Sequence, residues 1–342
     1  MLVYIQILRF FAATAVAAFH AWGVAPQFIK VAENAPSYGL EYAGHGVDLF
    51  FVISGFIIFY ATHRANLTPA AFLRRRVERI VPLYFFVIFA VVALALVFPA
   101  SFDTPDWYTP RHILKSLAFI SFTDGAMPVV YVGWSLEYEM YFYLCVALLM
   151  ALTRDVWRNI VVIFSALTII GQIPGVAGAL GHHTFFVDAL ILEFVLGVFV
   201  GQWFVSGRVG LPALVAVGAA IGMLLAFDPV NRAIVFGLPS AILVGGAACI
   251  SRLRPKPSPA EYALERLGDA SYSIYLAQVN TVSLTCGYVT AIAPDISRAG
   301  LITTATLAVV LVGLLLNIFV ERPLLKLCRS IGQRRTRDAR PA

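Results

Sequence analysis

Residues 80–100 read IVPLYFFVIFAVVALALVFPA and contain no Asp, Glu, Lys or Arg. A helix needs about 20 mostly apolar residues to cross a bilayer, and this stretch meets that length without a charge to bury. Three further runs, 233–250, 270–294 and 299–320, also lack all four charged residue types. Such runs predict a helical membrane protein, because lipid offers no partner for an exposed backbone N–H or C=O group.

The composition of the whole chain agrees with these runs. Of its 342 residues, 60% are hydrophobic and 13% are charged, and the mean hydropathy is +0.83. An average soluble domain is about 45–50% apolar and about 25% charged. These values exclude a disordered chain, and the uninterrupted runs exclude the alternating strands of a porin-like barrel. The four cysteines form no CxxC, so the sequence predicts neither a disulfide framework nor a metal site.

We predict an all-α fold, a bundle of about ten membrane-spanning helices. The segment 112–123 is predicted to be an interfacial or re-entrant helix, since it is too short to cross. The loop 251–268 is predicted to hold a short amphipathic helix. Residues 1–325 are assigned to the membrane domain and 326–342 to a basic cytoplasmic tail. The ten predicted spans are 3–26, 44–62, 80–99, 130–150, 158–175, 184–204, 211–227, 233–250, 270–292 and 299–320.

The net charge of +6 admits two interpretations. A basic balance can indicate a nucleic-acid partner, whereas in a membrane protein Lys and Arg accumulate in cytoplasmic loops. With ten spans and the N-terminus inside, 19 Lys and Arg residues fall on the inner side and five on the outer side. This bias predicts that both termini are cytoplasmic and explains the charge without nucleic acid. Arg9 lies inside the first apolar stretch, which favours a span over a cleaved signal peptide.

Several ionisable residues fall inside predicted spans, where each costs about 2.5–3.5 kcal/mol and is a candidate for function. Arg9 lies in the inner half of the first span. His20 lies roughly 16 Å further out on nearly the same helix face. The second and fourth spans run inward, so Asp48, Glu137 and Glu139 also fall in the outer half. One histidine and three carboxylates are therefore predicted to share a depth.

This group of residues suits general acid–base catalysis. Histidine titrates near neutrality, and a carboxylate on its second ring nitrogen fixes the tautomer and raises its basicity. A sugar hydroxyl is a poor nucleophile until a base removes its proton, so the sequence predicts that His20 acts with Asp48 or a glutamate of span 4 in acyl transfer. The alternative is a structural histidine that hydrogen-bonds a neighbouring helix.

A basic cluster, FLRRRVERIVP, begins at Phe72 and contains Arg76 and Arg79 one helical turn apart. Arginine side chains suit phosphate groups, because the planar guanidinium offers two parallel donors. The alternative is an ordinary basic inner loop that touches anionic lipid. Arg9 favours the first interpretation, since an arginine inside a span needs an anionic partner.

Trp134, Ser135 and Tyr138 lie at the outer start of the fourth span and are predicted to bind the acceptor. Aromatic rings at this depth suit stacking on a sugar. They suit equally well an interfacial belt at the membrane surface, and the sequence leaves this alternative open.

Several motifs, in this order and at these spacings, resemble the integral-membrane acyltransferase-3 family over nearly the whole chain. The fourth motif is similar to the branch that contains exopolysaccharide acetyltransferases. The motifs are IQILRFFAATAVAAFHAWG at 5–23, GHGVDLFFVISGFII at 44–58, RRRVERIVPLYF at 74–85, GWSLEYEMYFYL at 133–144, LGDASYSIYL at 267–276 and VERPL at 320–324.

The resemblance implies an O-acetyltransferase of the inner (cytoplasmic) membrane. Such an enzyme takes an acyl group, usually acetyl from acetyl-CoA, and passes it to a hydroxyl of a lipid-linked or exopolysaccharide sugar. The resemblance implies that His20 is the catalytic base. It also implies that Arg9, Arg76 and Arg79 bind the donor. Acyl-CoA is then a substrate, and no bound cofactor is expected.

The chain departs from the family pattern at two places. Tyr138 separates Glu137 from Glu139, so which of them matches the family acid stays open, and Gln278 stands where many members have a histidine. A transporter or flippase for lipid-linked saccharides is the alternative function, since it would also place ionisable residues in a bundle. Transporters often contain internal repeats, and the sequence has none that we recognise.

Overall fold

The computed structural model describes residues 2–30, 37, 39–64, 67–97, 105–228 and 230–338, and no strand occurs within these ranges. The fold is all-helical, as predicted. Two short π-helical segments, Ala233–Gly237 and Asn317–Glu321, lead into α10 and α14. The helices are α1 Val3–Val24, α2 Gly46–Arg64, α3 Pro69–Val97, α4 Pro110–Leu117, α5 Trp134–Leu152, α6 Val156–Gly171, α7 Val176–Leu180, α8 Ile191–Ser206, α9 Leu211–Phe227, α10 Leu238–Leu253, α11 Pro259–Asp269, α12 Ser271–Ile292, α13 Arg298–Leu316 and α14 Arg322–Asp338.

Seven helical stretches of the described chain are long and apolar enough to cross a membrane, and each coincides with a predicted span. The other three predicted spans are the helices α6, α9 and α12. Helices α6 and α9 have only 16 and 17 residues, and α12 is longer but carries Gln278, Asn280 and several hydroxyl side chains. A multi-pass helical architecture is therefore confirmed, and the count of ten spans stays a prediction. The seven stretches are Val3–Gln27, Leu40–His63, Pro69–Val97, Tyr131–Leu152, Val176–Ser206, Ala233–Leu253 and Arg298–Ser330.

Helices α2 and α8 pack backbone against backbone through two glycines. A Cβ atom on Gly55 would lie 2.1 Å from the carbonyl oxygen of Phe194, and one on Gly197 would lie 2.1 Å from that of Val52. Small residues allow the backbones of two membrane helices to approach this closely. Close packing matters here, because lipid supplies no hydrophobic force between helices and van der Waals contacts must hold them together. The contact fixes α2, whose first turn carries Asp48, against α8.

Helix α1 packs against α12 and α13 through a row of small residues. Ala13, Ala17 and Ala21 are fully buried and form one cluster with Val282 of α12 and Leu301 of α13. We call these three alanines the alanine row. They lie on the side of α1 that also carries Arg9 and His20, so the packing of α1 sets the direction of both polar side chains.

The loop before α12 contains the short helix that the sequence predicts. Helix α11 begins with a capping box, in which Ser258 and Glu261 each accept a hydrogen bond from the other's backbone N–H. Glu261 also accepts a 2.6 Å hydrogen bond from the Tyr4 hydroxyl of α1. These donors, Tyr4 first, lower the pKa of the Glu261 carboxyl to about 2. Helix α11 is thereby tied to the first turn of α1.

The connection between α3 and α5 contains α4 and a 3-10 turn at Ser121–Asp124, which agrees with a short helix near 112–123. Lys115 of α4 pairs with Asp124 at 2.6 Å and holds the turn in place. At the other end of the chain, α14 runs without interruption past residue 326. The division into 1–325 and 326–342 stays a prediction.

Candidate active site

A cavity of about 630 Å³ lies between α1, α2, α3, α5, α12 and α14, and its lining changes in chemistry from one end to the other. Helix α2 passes the cavity from Val47 to Ile58, a rise of roughly 16 Å, so the two ends are well separated. The arginine end is lined by Arg9, Arg74, Arg75, Arg76, Arg79 and Arg329, and the apolar end by Val47, Phe50, Phe51, Leu136 and Tyr275, with the hydroxyl of Ser135.

The arginine end holds more positive charge than the side chains around it neutralise. Arg74 pairs with Glu78 at 3.4 Å, whereas Arg9, Arg76 and Arg79 form no ion pair with any described residue. The Nε atom of Arg76 is buried without a hydrogen-bond partner. Unneutralised guanidinium groups within a membrane protein favour an anionic ligand, and their geometry suits phosphate. The structure thus brings the three arginines of the predicted donor site into one cavity.

Between the two ends, polar side chains gather around Glu139. The Ser54 hydroxyl of α2 donates to Glu139 Oε1 at 2.5 Å, and the Tyr143 hydroxyl donates to the same oxygen. Ser135, Glu139 and Tyr143 are four residues apart along α5, so they share the face that lines the cavity. Glu139 is therefore a carboxylate on the route between the arginine end and the apolar end.

The apolar end is lined by aromatic rings and a hydroxyl pair. The hydroxyl oxygens of Ser135 and Tyr275 lie 2.8 Å apart, and both are within hydrogen-bond distance of the carbonyl oxygen of Val132, at 3.1 and 3.2 Å. The ring of Phe50 meets that of Tyr275 edge to face, with 5.7 Å between centroids. These contacts hold Tyr275 in one orientation in the lining of the cavity.

His20 lies beyond the apolar end and is not part of the cavity lining. Its ring meets that of Tyr131 edge to face at a centroid distance of 5.9 Å. Tyr131 is the neighbour in sequence of Val132, whose carbonyl oxygen faces Tyr275. No described residue forms a hydrogen bond with the imidazole nitrogens of His20. The histidine is therefore close to the end of the cavity and has no hydrogen-bond partner in the described part of the chain.

The three carboxylates predicted to lie at the depth of His20 bind other groups, as described above for Glu139. Asp48, fully buried, accepts two 2.7 Å hydrogen bonds from the guanidinium of Arg232, and His45 lies 3.3 Å from one of its oxygens. Glu137 accepts hydrogen bonds from the backbone N–H groups of Ser121 and Phe122, at 2.8 and 3.3 Å.

The expected hydrogen bond between His20 and one of these acids is thus not present among the described residues. The sequence argument rested on depth, and depth along the bilayer does not fix the direction in which a helix presents a side chain. The catalytic roles of Asp48, Glu137 and Glu139 stay predictions.

The predicted acceptor residues point in different directions. Ser135 lines the cavity. Tyr138 is buried, stacks on Phe185 at 4.2 Å and donates to Asp188 at 3.2 Å. The ring of Trp134 lies 5.8 Å from the Arg232 guanidinium carbon. Of the three, only Ser135 borders the cavity.

Sequence reasoning missed several polar residues around the site. Tyr143 could have been found, because it lies one turn from Glu139 on the same helix face. Arg232 is one of the five basic residues that the ten-span topology places on the outer side, and its pairing with Asp48 has no signal in the sequence. Gln278 is fully buried, and neither amide atom has a described partner. No group of three His, Cys, Asp or Glu side chains suited to a metal ion occurs in the described ranges.

A helical membrane bundle with an arginine-lined cavity, and a nearby histidine without a described hydrogen-bond partner, is the architecture that these observations define. Residues 2–318 match the acyltransferase-3 family model, described as an acyltransferase domain. The match covers most of the chain, which therefore belongs to this family and is an acyltransferase.

Two relatives extend the comparison. The chain is 36% identical over 306 residues to the exopolysaccharide production protein ExoZ of Rhizobium meliloti (strain 1021), covering 83% of this chain and 90% of that protein. It is 27% identical over 370 residues to the acyltransferase MdmB of Streptomyces mycarofaciens, covering 96% and 92%. No solved structure matches the chain.

Proposed function

We propose that the protein transfers an acyl group, acetyl in particular, from acyl-CoA to a hydroxyl of an exopolysaccharide sugar. The observation that carries the proposal is the change of chemistry along the cavity. An acyl-CoA is a long molecule with phosphates at one end and a small uncharged thioester at the other. Arginines without ion-pair partners at one end of the cavity and apolar rings at the other complement that distribution.

The donor assignment follows from the same residues. Arg9, Arg76 and Arg79 would hold the phosphates through charge-assisted hydrogen bonds, which are stronger than neutral ones. The pantetheine arm would then extend past Glu139 and Ser54 to the apolar end. Acetyl-CoA enters this proposal as a substrate, and no resident cofactor is part of it.

His20 is the proposed general base. It would remove the proton from the acceptor hydroxyl as that oxygen attacks the thioester carbonyl carbon. The C–S bond then breaks, the acyl group stays on the sugar oxygen as an ester, and the proton is returned to the thiolate to give free CoA. Glu139, which lines the cavity, would be the catalytic carboxylate beside the bound donor. Asp48 and Glu137, each fixed by its own partners, would act as positioning residues.

The proposed orientation places the arginine end in the cytoplasm, where acyl-CoA is made. Ten spans with both termini inside give that orientation, and the bias of 19 basic residues to five supports it. The acceptor would then reach His20 from the outer side. The cytoplasmic membrane is the one that meets both requirements.

The acceptor class is suggested by the relative named as an exopolysaccharide production protein, and the reaction class by the relative named as an acyltransferase. Trp134 and Tyr138 contribute to the acceptor side through the outer start of α5, with Ser135 between them on the cavity. The sugar and the hydroxyl that is modified follow from none of these residues.

His20→Ala tests the proposal in cells that make the polysaccharide. We expect loss of base-labile acetyl esters from the polysaccharide, by about 10²–10⁴-fold in rate, while the purified variant still binds acetyl-CoA. The measurement is ester content and glycan mass, with the wild-type chain and an empty vector as controls. Acetylation by His20→Ala equal to wild type would overturn the role of His20. Glycan movement across membranes without release of free CoA thiol would favour a flippase instead.

A further inference from the structure

We infer that the side-chain amide of Gln278 donates a hydrogen bond to the thioester carbonyl oxygen of the bound donor. There it stabilises the negative charge that this oxygen acquires during acyl transfer. This role rests on the proposed function and adds to it a catalytic residue of α12.

The protein itself leaves the Gln278 amide without a partner. The side chain is fully buried, and neither its amide oxygen nor its amide nitrogen forms a hydrogen bond in the described part of the chain. Buried polar side chains nearly always have such a partner, because burying an amide without one costs free energy. Lipid supplies no substitute. A buried and unpaired amide therefore indicates a ligand that completes its hydrogen bonds.

Gln278 continues the face of α12 that borders the cavity. Ser271 and Tyr275, four residues apart, belong to the cavity lining. Gln278 follows Tyr275 by three residues, so one helix face carries all three side chains. The rise from Tyr275 to Gln278 is about 4.5 Å. The amide thus follows the apolar end of the cavity at a distance of roughly one helical turn.

The packing of α1 beside α12 gives the level of this amide relative to His20. A Cβ atom on Gly268, just before α12, would lie 2.0 Å from the carbonyl oxygen of Gln6. One on Gly287 would lie 3.3 Å from the ring of Phe28, so the two helices run side by side in the same direction. Between these contacts the amide lies about halfway along its helix and the histidine about two thirds of the way, a difference of less than one turn.

Tyr275, Gln278 and His20 therefore follow one another away from the arginine end. The turn Tyr131–Gly133, whose first ring meets that of His20, packs against α12. The thioester of the donor would lie at the apolar end, and the acceptor hydroxyl would lie beside His20. The carbonyl carbon must be between them when the hydroxyl oxygen attacks it, and Gln278 is at that level.

The other polar groups near the apolar end already have acceptors. The hydroxyls of Ser135 and Tyr275 lie 2.8 Å apart, and the carbonyl oxygen of Val132 is within hydrogen-bond distance of both. Each hydroxyl has one proton, and these oxygens can accept both protons. The two N–H bonds of the Gln278 amide have no acceptor in the described ranges. They are therefore the donors that a developing oxyanion can use.

The chemistry of the step matches an amide donor. As the acceptor oxygen bonds to the carbonyl carbon, the C=O electron pair moves onto the carbonyl oxygen, which becomes an oxyanion. The pair returns when the C–S bond breaks, and Gln278 is unchanged throughout. A neutral amide can stabilise this transient charge without placing a permanent charge inside the membrane, and Gln and Asn side chains serve in this way in oxyanion holes.

Infrared spectroscopy of bound acetyl-CoA tests the hydrogen bond without an acceptor. The probe is acetyl-CoA with ¹³C at the thioester carbon, bound to the purified full-length protein in lipid nanodiscs. A hydrogen bond to the carbonyl oxygen lowers the C=O stretching frequency. We expect a lower frequency in the wild type than in Gln278→Leu or Gln278→Met. Both variants remove the amide at similar volume, so that one replaces the other if it fails to fold.

Kinetics and stability should change in a characteristic way. In cells, we expect both variants to form acetyl esters about 10²–10³-fold more slowly, since an oxyanion donor acts mainly in the transition state. The Kd of acetyl-CoA should rise by at most about tenfold. The unfolding midpoint without ligand should be equal to or above that of the wild type, because the variants remove an unpaired buried amide. A structural hydrogen bond would instead be lost, and the midpoint would fall.

Gln202→Leu is the matched control. Gln202 of α8 also has a buried amide oxygen without a described partner, but it does not line the cavity. It should keep the wild-type C=O frequency and acetylation rate. An identical C=O frequency in the wild type and the Gln278 variants, or a clearly lower midpoint in both variants, would overturn the role of Gln278. Absence of acetyl-CoA binding to the wild type would instead overturn the proposed donor, which is a different result.

Discussion

Two arginines within the bundle have opposite surroundings. Arg232, just before the π-helical segment that leads into α10, is bound to Asp48 through two hydrogen bonds of 2.7 Å and lies over the Trp134 ring. Arg9, in the inner half of α1, borders a cavity and has no carboxylate partner among the described residues. Both would cost free energy in a membrane if left alone. Arg232 is neutralised by the protein, and Arg9 has no ion-pair partner among the described residues.

The difference teaches how to separate structure from function among intramembrane charges. A fully paired charge holds helices together, here the start of α2 against the segment before α10. An unpaired charge beside a cavity stores binding free energy for an anion. On this basis we expect Asp48 to act through Arg232, and we group Arg9 with Arg76 and Arg79 in the proposed donor site.

The largest effect is expected from breaking the Arg232–Asp48 pair. Arg232→Gln leaves a fully buried carboxylate without its counter-ion, and we expect a loss of about 3 kcal/mol, the low end for such pairs because the Arg232 side chain is 34% exposed. Unfolding of the purified protein in one detergent measures this. The double variant Arg232→Gln/Asp48→Asn should recover part of the loss, and acetyl-CoA affinity should stay near wild type. A fully stable Arg232→Gln would contradict the structural role.

Arg9→Gln should give the opposite result. We expect acetyl-CoA binding to weaken by about 10–100-fold, the value of one or two charge-assisted hydrogen bonds, with little loss of stability. The affinity of Arg9→Lys for acetyl-CoA should lie between those of the wild type and Arg9→Gln, because lysine keeps the charge and lacks the planar guanidinium. Titration with acetyl-CoA gives the Kd. Unchanged affinity in Arg9→Gln would remove Arg9 from the donor site.

The close contact of α2 and α8 shows how firmly the paired region is packed. Gly55→Ala would place a methyl group 2.1 Å from the carbonyl oxygen of Phe194 and should cost about 1–3 kcal/mol by forcing the helices apart. Gly246→Ala in α10 is the matched control, since a Cβ atom there meets nothing within 4 Å. Thermal unfolding of the two variants should differ clearly. Equal stability of both would show that the α2–α8 contact adjusts at no cost.

The smallest effect on stability is expected at a third arginine, Arg254, which is exposed. Arg254 lies 3.5 Å from Glu261, which also accepts the Tyr4 hydrogen bond. The pKa of Glu261 is lowered to about 2, so its contribution is fully present above its ordinary value of about 4.5 and is lost as the pH falls toward 2. Glu261→Gln should lower the unfolding midpoint by about 2 °C at pH 7.

The difference in unfolding midpoint between wild type and Glu261→Gln should shrink as the pH is lowered from 4.5 to 3. In this range the wild type begins to lose the stabilisation that the Glu261 carboxylate provides. Midpoints of wild type and Glu261→Gln measured across this range check the sign. A difference that stays constant down to pH 3 would mean that the Glu261 carboxylate does not stabilise the contact of α11 with α1.

The three arginines of the proposed donor site could be singled out from the sequence. Arg76 and Arg79 stand one helical turn apart, and Arg9 is a charge inside an apolar run, so each carried a local signal of its own. Their meeting in one cavity follows from the packing of α1 against its neighbours, which the sequence did not specify. The suitability of these arginines for phosphate follows from residue type, whereas the cavity that they line does not.

The partners of the acids could not be predicted in the same way. Asp48, Glu137 and Glu139 share a depth with His20, and depth follows from counting residues along a helix. Whether two side chains touch depends on the rotation of each helix about its axis and on its neighbours. The structure turns Asp48 to Arg232, Glu137 to the turn at Ser121, and Glu139 to Ser54.

The sequence by itself determined that this is a helical membrane protein, where its apolar helices lie and which side chains carry charge into them, because length, hydropathy and residue chemistry are properties of local sequence. The tertiary structure alone decided which charges are neutralised, where the cavity runs and which rings line it. These depend on contacts between helices far apart in the chain. Arg9 and Arg232 show the distinction, since the same side chain is part of a candidate donor site in one place and of a helix-to-helix contact in the other.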